Sequence, residues 1–311
     1  MRFISSDDVH RICVWTKLCD ALFAAHQGPE PKVDRSELHA ERAGGRETYF
    51  NLPAWQPGIA MGTKVVTVFP GNRELPSVQA LYPLFDGRNG EPLAVLDGTA
   101  LTYRKTAADS ALGSRLLSKP DSRSLVMVGA GALSPYLIDA HRALRPLIDR
   151  VLIWNRDRAK AEKLAEKLKA EVADDLETAV READIVSCAT AATSPVVKGD
   201  WLKPGAHLDL VGSFTPKMRE ADDAAVTRAR LFVDSRWFAI DQPGDLADPL
   251  RRGVIRRQDI EADLFELCRD GYDVNRKLED ITLYKNGGGA HLDLFTALFV
   301  WQNLNREEKW M

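Results

Sequence analysis

The chain has 311 residues, 45% of them apolar and 28% charged, the make-up of a folded globular protein of about two domains rather than a disordered or fibrous one. A formal net charge of −3 supplies no basic field, so neither a nucleic acid nor an anionic membrane is expected as a partner. The longest apolar runs, 125–128 and 294–301, are far shorter than a membrane span. Residues 1–26 carry Asp7, Asp8 and Asp20 and do not read as a secretory signal. Cys13, Cys19, Cys188 and Cys268 form no CxxC pair and no metal-like cluster. Free thiols, no metal and a cytoplasmic location are therefore expected.

Ser5 and Ser6 precede a helical pattern of Val9, Ile12, Cys13, Leu18 and Leu22, with Asp7 and Asp8 in its first turn. That pattern predicts one helix, closed by residues 28–32. Residues 38–68 read as short strands, and 64–69 (KVVTVF) is the clearest because it is rich in β-branched side chains. Gly71-Asn72 and Asp86-Gly87 mark turns. Residues 94–96 and 101–103 flank Asp97-Gly98, which predicts a hairpin. A helix is predicted over 106–117, stopping before Pro120.

From residue 121 short apolar strands (125–128, 151–154, 185–188, 207–211, 231–233) alternate with amphipathic helices such as 136–144 and 159–168. This rhythm predicts an α/β fold, a Rossmann-type doubly wound parallel sheet. The polar stretch 118–124 with Pro120 places the boundary near 120. A smaller α+β domain over 1–120 is thus expected beside a Rossmann domain over 121–289, with the helical segment 290–311 returning to the first.

Strand 125–128 runs into Gly129-Ala130-Gly131-Ala132 and then Ser134, a GxGxxS form of the dinucleotide fingerprint. The first glycine permits the tight turn, the second lets the backbone approach a pyrophosphate, and the helix that follows offers free N–H groups. The strand–turn–helix context is what gives a short motif its meaning. The second strand ends at Trp154-Asn155-Arg156, where a ribose-reading acid would stand. Asn155, Arg156 and Arg158 supply donors and positive charge instead, which suits a 2′-phosphate and favours NADPH over NADH. Thr190 and Ala191, just past strand 185–188, are expected at the nicotinamide ribose.

These residues resemble the ornithine cyclodeaminase/μ-crystallin family. The likeness runs from Ile4 to Phe299 through Leu52-Pro53-Ala54, Gly62-Thr63-Lys64-Val65-Val66-Thr67 and Pro92-Leu93-Ala94-Val95-Leu96-Asp97-Gly98. It continues through Thr106-Ala107-Ala108, the Gly129 turn, Trp154-Asn155-Arg156, Lys203-Pro204-Gly205-Ala206-His207 and Val211-Gly212-Ser213 with Pro216 and Glu220. The resemblance implies a homodimer with an N-terminal substrate and dimerisation domain. It also implies chemistry at a carbon bearing nitrogen next to a carboxylate.

By the same resemblance Lys64 contacts substrate, and Arg35 falls near the family's first carboxylate-binding arginine, with Arg42 or Arg46 as alternatives for that role. Lys105 stands where the family has its second arginine, with Arg104 beside it, so either could take that role. Cyclodeaminases of the family carry an aspartate where this chain has Phe214, which cannot act as a base. Ser213 and the loop at Gly287 are implied near the cofactor. The family's acidic pair after that loop is replaced by His291-Leu292-Asp293, where His291 is a candidate proton donor and otherwise a structural group. His207 reads as structural. The expected reaction is NADPH-dependent reduction of Δ1-pyrroline-2-carboxylate, or its six-membered homologue, to L-proline or L-pipecolate. The alternatives are an ornithine cyclodeaminase and a non-enzymatic NADPH-binding protein.

Overall fold

The computed structural model describes residues 1–309, which divide into two compact units. One comprises Met1–Lys105 with the segment from Ala290 onward, and the other comprises Thr106–Gly289. The division falls inside the helix Gly98–Leu117, whereas the change of rhythm in the sequence lies after it, near 120.

The first unit is built on a seven-stranded sheet. Arg2–Ile4, Pro92–Asp97, Val78–Asp86, Ala60–Val68 and Gly45–Gln56 lie in that order, and Lys32–Val33 and Ser36–Arg42 both pair with Gly45–Gln56. Every pairing is antiparallel except that of Arg2–Ile4. One face is buried, so side chains alternate. Ala60, Gly62, Lys64 and Val66 point inward from one strand, and Tyr82, Leu84 and Asp86 from the next. The helices Trp15–His26 and Ala290–Lys309 pack on each other, and the latter packs on the sheet.

Two local expectations are corrected. The single N-terminal helix is two, Ser6–Ile12 and Trp15–His26, because Val14 adopts extended backbone (φ −66°, ψ 128°) between them. The apolar period runs through the break, since Cys13 and Leu18 are both buried, and so conceals it. There is no hairpin at Asp97-Gly98. The strand Pro92–Asp97 feeds directly into the helix Gly98–Leu117, and the Asp97 carboxylate accepts from the Ala100 N–H at 2.8 Å. Aspartate–glycine serves here as a helix cap rather than a turn. A side chain at Gly98 would meet the Ala80–Leu81 backbone at 2.7 Å, so glycine is what lets the helix begin there.

The second unit holds an eight-stranded, wholly parallel sheet. Its order is Glu171–Val172, Arg150–Trp154, Ser124–Val128, Ile185–Cys188, His207–Leu210, Thr282–Lys285, Arg230–Val233 and Ile260–Asp263. Strands buried on both faces read as continuous apolar runs, and Val126, Val128, Val186, Leu208, Leu210 and Leu283 form this core. Several of its buried polar groups are bonded to one another or to the backbone. Asp209 accepts from Ser110 and Ser187 at 2.8 and 2.7 Å. Arg145 donates to the carbonyls of Ser114, Arg115 and Ser118, closing the end of the helix Gly98–Leu117. The four cysteines are buried and none is joined in a disulfide. Among the described residues no helix is long and apolar enough to cross a membrane.

Tyr284 donates to Asp109 at 2.8 Å, and its ring lies where a Cβ on Gly113 would come within 2.8 Å. Overpacking of such a contact costs about 1–3 kcal/mol. Gly113→Val should lower the unfolding free energy by about that much, read as a lower urea midpoint with an unchanged slope.

Candidate active site

At the carboxyl ends of Ser124–Val128 and Ile185–Cys188 lies a cleft of about 580 Å³. These two strands are neighbours from which the chain winds in opposite directions, the place where open α/β sheets bind ligands. Gly129 has φ +113°, and a Cβ there would lie 2.6 Å from the Ala189 carbonyl oxygen, so only glycine fits. Its N–H donates to the Trp154 carbonyl at 2.8 Å, and the Ala130 N–H donates to Asn155 Oδ1 at 3.2 Å. Asn155 thus ties the glycine turn to the end of the next strand. A Cβ on Gly131 would meet nothing within 4 Å. The second glycine therefore faces open space that a pyrophosphate could fill.

Gly129, Gly131, Asn155, Arg156, Thr190 and Ala191 line this cleft. Ala132, Ser134, Arg158, Ser213 and Gly287 do not. Ser134 is buried and accepts from the Gly131 N–H at 3.1 Å, closing the turn. Arg158 pairs with Glu162 and Asp174 at 2.8 and 2.9 Å. Ser213 Oγ donates to the Met218 carbonyl at 2.7 Å. A side chain on Gly287 would meet the Ala239 backbone nitrogen at 2.9 Å, so that glycine serves close packing. Lys160 and Asp157 also line the cleft. Neither was expected there; Asp157 stands at the N-cap of the helix Arg158–Leu168 and Lys160 in its first turn.

The other buried polar cluster belongs to the first unit. Lys64 Nζ, from strand Ala60–Val68, lies 3.0 Å from Asp293 Oδ2, and Lys105 Nζ lies 3.5 Å from the same oxygen. Asp293 sits in the first turn of the helix Ala290–Lys309, where the helix dipole favours a carboxylate. None of the three side chains is more than 7% exposed. Two ammonium groups thus approach one buried carboxylate. Asp293 was not foreseen as a member of this cluster. The one signal was its place after the glycine loop, where the family carries acids.

Tyr82 is buried beside Gly62, and a Cβ on that glycine would come within 2.7 Å of its phenol oxygen. Burial, with Asp293 adding to it, holds that phenol well above its ordinary pKa. The arginine candidates Arg104 and Arg35 lie elsewhere. Arg104 donates to His10 Nδ1 at 3.0 Å and to the Cys13 carbonyl at 3.2 Å, and stacks 4.4 Å from the Trp15 ring. It spans the break between the first two helices. Arg35 pairs with Glu37 and lies 5.7 Å from the Phe50 ring. His291 is buried, its ring 5.3 Å from that of His26 and perpendicular to it. Burial holds the His291 pKa well below its usual value, so the ring is neutral near pH 7. Phe214 is 63% exposed. Among the described residues no cluster of three or more His, Cys, Asp or Glu is arranged to hold a metal.

Burial also lowers His26 to about 4, against the pull of the Leu22 carbonyl it bonds at 2.7 Å. A histidine held neutral in the fold binds fewer protons than in the unfolded chain. Its favourable contribution is complete above the unfolded value, near 6.5, and is lost as pH falls toward about 4. Denaturant midpoints should therefore fall between pH 7 and pH 4.5, and His26→Gln should flatten that decline. An equal decline in the variant would contradict this assignment.

Residues 14–308 match the Ornithine cyclodeaminase/mu-crystallin family. The chain is 42% identical over 306 residues to a Delta(1)-pyrroline-2-carboxylate reductase of Paracoccus denitrificans, covering 96% of each. It is 38% identical over 259 residues to the ketimine reductase mu-crystallin of Mus musculus, covering 81% of this chain and 79% of that one. The structure of Thermococcus litoralis Delta(1)-pyrroline-2-carboxylate reductase in complex with NADH and L-proline superposes with a TM-score of 0.90 at 28% identity, over 99% of this chain and 98% of that one. With its glycine turn, its parallel sheet and its buried lysine–aspartate cluster in place, the chain belongs to the ornithine cyclodeaminase/mu-crystallin family.

Proposed function

We propose that this protein reduces a cyclic α-imino acid with a nicotinamide dinucleotide, converting Δ1-pyrroline-2-carboxylate or its six-membered homologue to L-proline or L-pipecolate. The observation that carries the reading is the buried Lys64–Asp293–Lys105 cluster, in which two ammonium groups approach one carboxylate. Its two cations suit a substrate that carries a carboxylate. The names of the relatives in Paracoccus, mouse and Thermococcus support the same reading.

The dinucleotide supplies a hydride, and the cleft at Gly129 and Gly131 has the open backbone cradle to hold its pyrophosphate. The protein's own work is binding and orientation. Lys64 and Lys105 hold the carboxylate and so fix the adjacent C2. The C=N bond arrives preformed, so no residue is needed to expel ammonia or activate water, and Phe214 in place of an ionisable side chain accords with that. Proton and hydride together convert C=N to CH–NH. The imine nitrogen is protonated from water, and the neutral His291 ring is not needed as an acid.

NADPH is the proposed cofactor. Arg156 and Lys160 on the cleft wall supply two cations against one carboxylate, Asp157, and Asn155 stands where an acid would repel a 2′-phosphate. The protein is further proposed to be a homodimer. Leu38, Tyr49, Trp55 and Leu81 expose apolar side chains from the first unit's sheet, a patch of the kind that subunits cover.

NADPH oxidation should be seen with one or both imines. Lys64→Met should lower kcat/KM by about a hundredfold or more, in keeping with loss of a charged contact to substrate. Absence of turnover with either imine, with ornithine converted to proline and ammonia instead, would refute the proposal. On the cofactor side, Arg156→Ala should raise the KM for NADPH about tenfold while changing that for NADH less than about twofold. Equal changes for the two cofactors would show that Arg156 does not read the 2′-phosphate.

A further inference from the structure

Glu220 lies in a loop outside every strand of the parallel sheet, yet it is fully buried. Its two carboxylate oxygens serve two different loops. Oε1 accepts from the Thr190 N–H at 2.7 Å and from Thr190 Oγ1 at 2.9 Å. Oε2 accepts from the N–H groups of Gly212 at 2.6 Å and Ser213 at 3.3 Å. The main chain extends the same grip. The Glu220 carbonyl accepts from Val196 and Val197, both at 2.9 Å, and the Arg219 N–H donates to the Ala192 carbonyl at 2.8 Å. Thr190, Ala192 and Val196 all line the dinucleotide cleft.

The fit around this carboxylate is close. A Cβ on Gly212 would lie 2.1 Å from the Thr190 carbonyl oxygen and 2.6 Å from Glu220 Oε1. Glu220 is itself fixed from behind, because its N–H donates to Asp245 Oδ1 at 2.7 Å, and Asp245 faces Lys285 at 3.4 Å. All of these donors converge on oxygen atoms, and only a carboxylate offers enough lone pairs to accept from all four on its side chain.

We infer that Glu220 is a positioning residue for the cofactor: it clamps the Thr190 loop and the Gly212-Ser213 loop together and so shapes one wall of the dinucleotide cleft. This inference rests on the reading of that cleft as a nicotinamide dinucleotide site. Glu220 touches no reacting atom in this scheme. Its effect passes through Thr190 and the residues up to Val196. A glutamine keeps the size of the side chain but turns an N–H₂ group toward donors. An aspartate keeps the charge but is one methylene too short to reach both loops.

The test is calorimetric titration of the full-length protein with NADPH and NADH, paired with steady-state kinetics. In Glu220→Gln the dissociation constant and KM for the dinucleotide should rise about tenfold or more, while the imine KM and the kcat at saturating cofactor change less than about threefold. Glu220→Asp should give an intermediate rise, and either variant that folds suffices. Asp209→Asn removes another fully buried carboxylate in the same unit, one whose partners Ser110 and Ser187 do not line the cleft. It should lower thermal stability without altering dinucleotide affinity. Native-like dinucleotide affinity in a folded Glu220 variant overturns the inference, and so does an equal loss of affinity in Asp209→Asn. A native protein that binds neither dinucleotide removes the functional reading itself, and this inference with it.

Discussion

Charge taken out of water must be answered by opposite charge or by hydrogen bonds, and in the first unit this rule governs register, topology and chemistry together. Lys64 is buried because the strand Ala60–Val68 alternates, with Ala60, Gly62, Lys64 and Val66 inward. A slip of one residue would send Lys64 outward and bring Thr63 and Val65 in. Once inside, its ammonium group requires a carboxylate, and none is supplied by the neighbouring positions of the strand. The partner, Asp293, comes from a helix 229 residues further along. Packing of the helix Ala290–Lys309 on the sheet and neutralisation of Lys64 are thus the same event.

The second unit answers its buried charge differently. The Glu220 carboxyl is met by backbone and hydroxyl donors rather than by a cation in contact. Burial and the nearby Asp245 push its pKa up, while Lys285 and the Thr190 donors pull the other way. Asp209 is held by two serine hydroxyls and faces His141 at 3.4 Å, and Arg145 is held by carbonyls at a helix end. In each of these cases the fold supplies a full set of partners. In the first unit, by contrast, one aspartate serves two cations, Lys64 and Lys105.

This difference also explains what the sequence discloses. The parallel strands were legible because burial on both faces makes them continuous apolar runs, as in Leu125–Val128 and Ile185–Cys188. The Gly129 turn was legible because its strand–turn–helix order is local. The helix start at Gly98 was not, because Asp97-Gly98 carries the signal of a hairpin turn and of a helix cap alike. The break at Val14 was hidden by an apolar period that both short helices share. The site divides along the same line. Arg156 could be placed by its distance from the glycine turn. Arg158, only two residues on, could not be told from it until Glu162 and Asp174 were seen to hold it. Asp293 acts through Lys64, 229 residues earlier, and Glu220 through Thr190, 30 residues earlier, as well as through Gly212 and Ser213 nearby. Apart from the place of Asp293 after the glycine loop, no local pattern announces either.

The replacement of an arginine by Lys105 follows the same physics. A guanidinium brings five donors in a rigid plane, and a buried one needs several acceptors around it. Arg145 shows what that takes, with three carbonyls and the Ser118 hydroxyl around it. Lys105 pairs with Asp293, already shared with Lys64 at 3.0 Å. A point charge on a flexible stem can share one oxygen at 3.5 Å without displacing Lys64 from it. A fork held to Asp293 by both arms would consume the carboxylate that Lys64 requires. Lysine at this position therefore keeps Asp293 common to both cations.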